Sequence, residues 1–216
     1  MVNNVLISLF DYTGNASKPY KEAGWDVLQI DIQHGQDIME WDYKMWLMGN
    51  YGTAPFDDIG LRIGIIAMIP CTDYANSGAK HFKRKDADGS TEKSQILVIK
   101  TKEIIDFFEA KGVLIFWQIE NPMSRIHKLN PWMGPPKLKF NPCDYAGYDP
   151  IPENSRYNKT TWLWGRFNNA LPISYLSPLD KQYPGFTKLG GKSIKTKNLR
   201  SITPLGFAYA FYHANH

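Results

Sequence analysis

The sequence predicts an α/β protein built on a doubly wound, mostly parallel, Rossmann-like sheet, and three observations predict it. Short, largely apolar runs at Val5–Phe10, Trp25–Ile32, Leu61–Ile69 and Val113–Ile119 are each followed within three residues by Asp, Gly, Pro or Asn, as buried strands are. Segments of helical character separate them, which is the alternation that builds a parallel sheet. The chain is 216 residues long, 43% hydrophobic and 21% charged, sufficient for a core without disulfide or metal staples.

Taken in order, Val5–Phe10 is the first strand, and Asp11-Tyr12-Thr13-Gly14 is the turn that ends it. Ser17 reads as a helix N-cap with Pro19 in the first turn, and Gly24 as the stop. Trp25–Ile32 is the second strand. Leu61–Ile69 is the third and ends at Pro70-Cys71. Thr91–Lys111 spaces Ile96, Leu97, Ile99, Ile104, Ile105 and Phe108 close to a helical repeat and stops at Gly112. Val113–Ile119 is the fourth strand, terminated by Glu120-Asn121-Pro122. Beyond Leu129 the texture changes. Residues 130–199 are rich in Pro, Gly, Asn and Tyr, hold a short strand at Trp162–Trp164, and are expected to form a small irregular second lobe. Helical order returns after Pro204, so the main domain spans 1–129 and is completed by 200–216.

Composition bounds the function. A net charge of +4 permits a polyanionic partner without demanding one. The 14% aromatic content, with seven Trp and twelve Tyr, either fills a core or builds base-stacking pockets. Two cysteines, Cys71 and Cys143, are too few for a disulfide framework or a four-thiolate zinc site, and the five histidines show no ligand spacing, so no metal is expected. The longest apolar run, Ile63–Ile69, falls far short of the ~20 residues of a membrane span. Met1–Asp11 lacks the marks of a secretory leader. The expectation is a soluble, cytoplasmic protein, monomeric and with no membrane partner.

In open α/β sheets ligands sit at the carboxyl ends of the strands, and the candidate chemistry lies there. In Phe10-Asp11-x-x-Gly14 the glycine permits close backbone approach, and a following helix N-terminus suits a polar or anionic group. Asp31, ending the second strand, either accepts hydrogen bonds from both ribose hydroxyls of a nucleoside or caps the next element. Cys71 is either a nucleophile, its thiol pKa depressed by a following helix N-terminus, or a structural cysteine. Glu120 leaves a strongly apolar strand, so desolvation would raise its pKa and let it donate a hydrogen bond; alternatively it caps the next element. The run Lys80-His81-Phe82-Lys83-Arg84-Lys85 is either a solvated loop or a flexible phosphate-contacting segment. Lys181–Arg200 adds six basic residues, Lys192 and Lys195 among them, and no acidic one.

Together these motifs resemble the DNA cytosine-5 methyltransferases, in particular the short, divergent forms encoded by phages and prophages. The resemblance rests on the order Phe10-Asp11-x-x-Gly14, Asp31, Asp37-Ile38, Pro70-Cys71-x-x-Tyr74 and Glu120-Asn121, with Arg200-Ser-Ile-Thr-Pro204-x-Gly-Phe207-Ala at the end. Lys159–Trp164 is the only match in the middle of the small lobe. The resemblance implies a methyltransferase-type sheet and S-adenosylmethionine as cofactor. It implies duplex DNA as partner, with a cytosine flipped into a pocket. Phe10, Asp11, Gly14 and Pro70 would shape the cofactor cleft, Asp31 and Ile32 would hold the ribose end, and Asp37-Ile38 would touch the adenine. Cys71 would add to cytosine C6, Glu120 would hydrogen-bond the N3 edge, Asn121 would fix the loop carrying Glu120, and Arg125 would hold the pyrimidine. Lys80, Lys83, Arg84, Lys159, Lys192 and Lys195 would contact DNA. The chain departs from the family pattern at Ile69, Thr72, Ala75 and Pro122, and Arg125 stands in for a later arginine motif without a clean match. Two other readings share these residues: a non-catalytic relative that binds DNA or protein, and an enzyme modifying pyrimidine C5 with another one-carbon donor or on RNA.

Overall fold

The computed structural model describes residues 3–53, 55–56, 58–179 and 201–216. Its strands are β1 (Asn3–Leu9), β2 (Asp26–Ile30), β3 (Leu61–Met68), β4 (Leu114–Pro122), β5 (Leu138–Phe140) and β6 (Thr161–Arg166). They form one six-stranded sheet in the order β2-β1-β3-β4-β6-β5. β1 to β4 are mutually parallel, β6 runs antiparallel to both β4 and β5, and the result is a mixed, mostly parallel α/β sheet. Its α-helices are α1 (Lys18–Glu22), α2 (Tyr43–Tyr51), α3 (Phe82–Ala87), α4 (Ser90–Ala110), α5 (Ile126–Leu129) and α6 (Leu205–Ala214).

Helices cover both faces, which is why the parallel strands read as continuous apolar runs rather than alternating ones. On one face Tyr43 and Leu47 of α2, Val98, Ile104 and Phe108 of α4 and Ile126 of α5 pack on Val5, Ile7, Ile63, Ile65 and Ile119. On the other, Tyr20 of α1 and Phe207, Ala210 and Phe211 of α6 pack on Leu6, Ile66 and Phe116. The two ends of the chain are joined here, because the Tyr20 hydroxyl donates to the Asn215 carbonyl at 2.8 Å. Each main helix has a local start signal. The Asp42 carboxylate accepts from the Lys44 and Met45 amides to open α2, and that of Asp88 accepts from Ser90 to open α4.

Four expectations are revised. β2 ends at Ile30 rather than Ile32, because the Asp31 carboxylate takes the Gln33 amide at 2.8 Å and turns the chain into a short 3-10 segment, Ile32–His34. β4 does not stop before Glu120: antiparallel pairing of Glu120 with Leu163, Asn121 with Trp162 and Pro122 with Thr161 carries it on. The basic run is not a flexible loop, since Asn76–His81 is 3-10 helix and Phe82–Ala87 is α3. Of the residues 130–199 assigned to a small irregular lobe, Leu138–Phe140 and Thr161–Arg166 are regular strands, β5 and β6, of the main sheet, and Cys143 is buried at 2% exposure.

α6 lies unusually close to the 3-10 segment Pro142–Tyr148: a Cβ on Gly206 would meet the Tyr145 carbonyl oxygen at 2.3 Å. Backbone cannot yield as a side chain can. Gly206→Ala is therefore expected to cost about 1–3 kcal/mol and lower the calorimetric Tm by roughly 3–10 °C, with the fold unchanged by far-ultraviolet circular dichroism.

Candidate functional site

The sheet order places a topological switch point between β1 and β3, because the chain leaves β1 toward β2 on one side and returns to β3 on the other. The carboxyl ends of those strands carry Phe10 and the Ile69-Pro70-Cys71 segment. Phe10 has φ 61°, the only positive φ of a non-glycine residue among the described residues. A bulky side chain in this region costs about 1–3 kcal/mol, and such strain clusters at ligand sites. The turn that follows is fixed from within. The Asp11 carboxylate, 3% exposed, accepts from the Ser8 hydroxyl and from both the amide and hydroxyl of Ser17. Burial raises its pKa although those donors pull it down. Gly14 has φ 70°, and the space beside it is filled by the Gln29 side chain, whose amide donates to the Asp11 carbonyl at 2.6 Å. The open approach expected at Gly14 is thus taken by the protein itself.

At the end of β2, Asp31 is 8% exposed while its neighbour Ile32 is left 70% exposed. His34 accompanies them: its Nε2 lies 2.8 Å from the Tyr12 carbonyl oxygen, and its ring stacks on Tyr12. Asp37 and Ile38 separate in role. Asp37 takes the Met39 amide at 2.9 Å, and Ile38 is 3% exposed in the core, where no ligand reaches it.

The loop bearing Cys71 is held at almost every residue. The Asn121 side-chain amide, fully buried on β4, donates to the Ile69 carbonyl at 2.9 Å. The Cys71 carbonyl accepts from the Tyr74 and Ala75 amides. Lys85 donates to the Thr72 carbonyl and pairs with Asp73 at 2.8 Å, both side chains nearly covered. Ser94 of α4 donates to the other Asp73 carboxylate oxygen. The Tyr74 hydroxyl, its pKa pushed far up by burial, donates to Gln95, which Asn130 also contacts. Asn121 therefore anchors the cysteine loop rather than the loop of Glu120. The turn closing on Cys71 passes into 3-10 helix, and the first α-helical residue is Phe82, so the expected helix dipole is not directed at the thiol.

Arg125 ties this region to the start of α4. Its guanidinium grips Asp86 through two nitrogens at 2.8 and 2.7 Å, donates to the Thr91 hydroxyl and the Asp73 carbonyl, and stacks on Phe82. The same contacts hold the Asp86 carboxyl at about 2. Arg125 is thereby engaged as a brace.

Glu120 is half-buried on the opposite side of β4 from Asn121, and pairs in register with Met68. Desolvation raises its pKa, countered in part by Lys159. Both line a small cavity with Phe140, Thr161, Thr203 and Phe207, with room for about one water molecule. The Asn15 side chain donates to the Thr203 carbonyl, joining this cavity to the turn after β1. Lys80 and Lys83 are exposed, Arg84 pairs with Asp88, and Lys192 and Lys195 lie outside the described residues. Lys85, Ser94 and Gln95 were not singled out from sequence; Lys85 stood within the basic run, but its single buried partner lies twelve residues upstream with no local signature. No metal-binding group of His, Cys, Asp or Glu occurs among the described residues, and no described helix is long and apolar enough to cross a membrane.

Fold and site together define an α/β protein with a cysteine loop and a desolvated carboxyl at one edge of a mixed sheet. No protein-family model matches the chain, and no curated protein matches it in sequence.

Two carboxyls give opposite pH signatures. The native pKa of Asp86 is depressed, so its contribution is present above the ordinary carboxyl range and lost as pH falls toward about 2. The gap in urea midpoint between wild type and Asp86→Asn is expected to close across that interval. For Glu120 the native pKa is raised, so ionisation of the unfolded chain destabilises the fold as pH rises. Glu120→Gln is expected to match wild type in acid and to exceed its urea midpoint at pH 7.

Proposed function

We propose that the chain is an S-adenosylmethionine-dependent DNA cytosine-5 methyltransferase acting at this sheet edge. The observation that carries the reading is the Asn121 hydrogen bond to the Ile69 carbonyl, which couples the strand bearing Glu120 to the loop bearing Cys71. A cysteine following β3 and, at the end of the adjacent parallel strand β4, a carboxyl whose pKa desolvation raises are the two groups that pyrimidine C5 activation needs. The methyltransferase form of the Rossmann-like fold, which the mixed sheet accommodates, belongs to the same reading.

The residues around the switch point suit a nucleoside cofactor. Asp31 offers a carboxylate for ribose hydroxyls, the exposed Ile32 an apolar wall for a base, and the Phe10 turn a strained backbone at the strand end. Asp11 and Gly14 shape that turn from behind. S-adenosylmethionine, when bound, supplies the methyl group that C5 accepts.

The chain's own residues do the rest. The Cys71 sulfur adds to C6 of a cytosine turned out of the duplex, and the electron pair of the C5–C6 bond moves toward C5. Protonated Glu120 donates to N3, which stabilises the charge that develops in the ring. Once C5 carries the methyl group, its proton is lost to base, the C6–S bond breaks and the thiolate returns. Arg125 and Lys85 act as positioning residues that keep the cysteine loop in place. Lys80 and Lys83, exposed beyond that loop, contact phosphates.

The tight cavity beside Glu120 favours one alternative, a non-catalytic DNA-binding relative. A duplex carrying 5-fluorocytosine separates the two, since fluorine at C5 blocks the final elimination. Wild type with S-adenosylmethionine is expected to give a denaturation-resistant adduct, Cys71→Ser none, and Glu120→Gln an adduct forming about 10²–10³ times more slowly. Binding of the duplex by wild type without any adduct establishes the alternative instead.

A further inference from the structure

The face of β5 and β6 that adjoins Asn121 carries a cluster the mechanism does not use. His127 of α5 stacks on Trp164 with ring centroids 5.6 Å apart and lies 5.8 Å from Trp162, and the two tryptophans are 6.0 Å apart. Trp132 continues the aromatic surface by packing on Trp117. His127 Nδ1, Trp162 Nε1 and Trp164 Nε1 are all buried with no hydrogen-bond partner in the structure. All three are enclosed within one group of touching rings, so what the cluster offers outward is ring surface and lysine.

The chain segments that carry the cluster are basic. Residues 121–143 and 154–179, which build this face, contain no Asp or Glu. Lys139, paired across the strands with Trp162, lays its ammonium 4.9 Å from that ring's centre. Burial pushes the His127 pKa down, and Lys128 and Lys139 add to it. Lys102, from α4, covers Trp132 and is itself bound to Asp106. Trp162 sits in register with Asn121, so the aromatic surface starts beside the strand that anchors the cysteine loop.

Partly exposed indole rings fringed by lysines, with no carboxylate in their own segments, match an unpaired nucleic-acid strand. Bases stack on rings regardless of sequence, and lysines neutralise phosphates. We propose that this face is a base-stacking platform for a single DNA strand, with Trp162 and Trp132 as stacking rings and Lys128 and Lys139 as phosphate contacts. It rests on the reading of the chain as a DNA-binding protein, and adds that the DNA it holds is locally unpaired.

A fluorescein-labelled short oligothymidylate tests the platform alone. It contains no cytosine, so binding does not depend on the Cys71–Glu120 chemistry, and failure of that chemistry leaves the result untouched. Wild type is expected to bind this strand more tightly than the same sequence annealed to its complement. Lys128→Glu with Lys139→Glu is expected to weaken binding more than about tenfold and to lower the log–log salt slope by about 1.4, at about 0.7 for each lost phosphate contact. Trp162→Phe, which keeps an aromatic ring in the packing, is expected to reduce tryptophan quenching by the oligonucleotide while thermal melting stays close to wild type. Unchanged affinity and slope in the double variant, or equal binding of single strand and duplex by wild type, overturns the proposal.

Discussion

Everything around the Cys71 loop depends on one constraint: the backbone that leaves β3 does so from an almost fully buried strand, and its polar groups must be paired on the spot. A carbonyl stranded there costs about 1–3 kcal/mol. Asn121 meets the Ile69 carbonyl, Lys85 the Thr72 carbonyl and Arg125 the Asp73 carbonyl. These three side chains come from a neighbouring strand, the following helix and the loop beyond β4, so satisfying the loop also fixes those elements to one another. Cys71 sits at the centre of that arrangement. Its setting is the by-product of hydrogen bonds made by its neighbours, and its loop moves only if several of those bonds break together.

The electrostatics divide along the same lines. Positive groups near the loop are mostly engaged: Lys85 with Asp73, Arg84 with Asp88, Arg125 with Asp86. These partners all fall between residues 73 and 88, which explains why a sequence dense in both signs packs into 3-10 and α-helix instead of remaining a solvated loop. Glu120 has the opposite setting. It lies among Phe140, Thr161 and Phe207 with a single lysine nearby, and desolvation prevails. Carboxyls on the two sides of the β3–β4 edge are therefore pushed apart, Asp86 downward and Glu120 upward.

The strands and long helices were legible in sequence because burial on both faces writes itself as uninterrupted apolar runs, as in Leu61–Met68, and because α4 repeats its apolar residues at helical spacing. Positions of Cys71, Glu120 and Asp31 at strand ends followed directly. What stayed hidden were tertiary assignments. β5 and β6 are short, and Trp162-Leu163-Trp164 gives no alternation of apolar with polar residues, so nothing local marks them as part of the main sheet. Ile38 looks like any residue in a turn until Tyr43 and Leu47 bury it. Arg125 shows no sequence sign of Asp86, 39 residues away. Lys192 and Lys195 lie beyond what the structure describes.

The insertion of β6 antiparallel between β4 and β5 has a kinetic meaning. It brings Lys159 to the carboxyl edge of β4, whose last residue, Pro122, precedes it by 37 residues, while Asn15 is bonded to Thr203 and Tyr20 to Asn215, contacts separated by 188 and 195 residues. Loops of that length close late and slowly, so the parallel strands β1 to β4 assemble before the edge is complete. A nascent chain can therefore build its apolar sheet before residues 201–207 are made, yet the Glu120 cavity gains its Thr203 and Phe207 walls only after them. The enclosure around Glu120 is thus completed by residues more than eighty positions downstream of it.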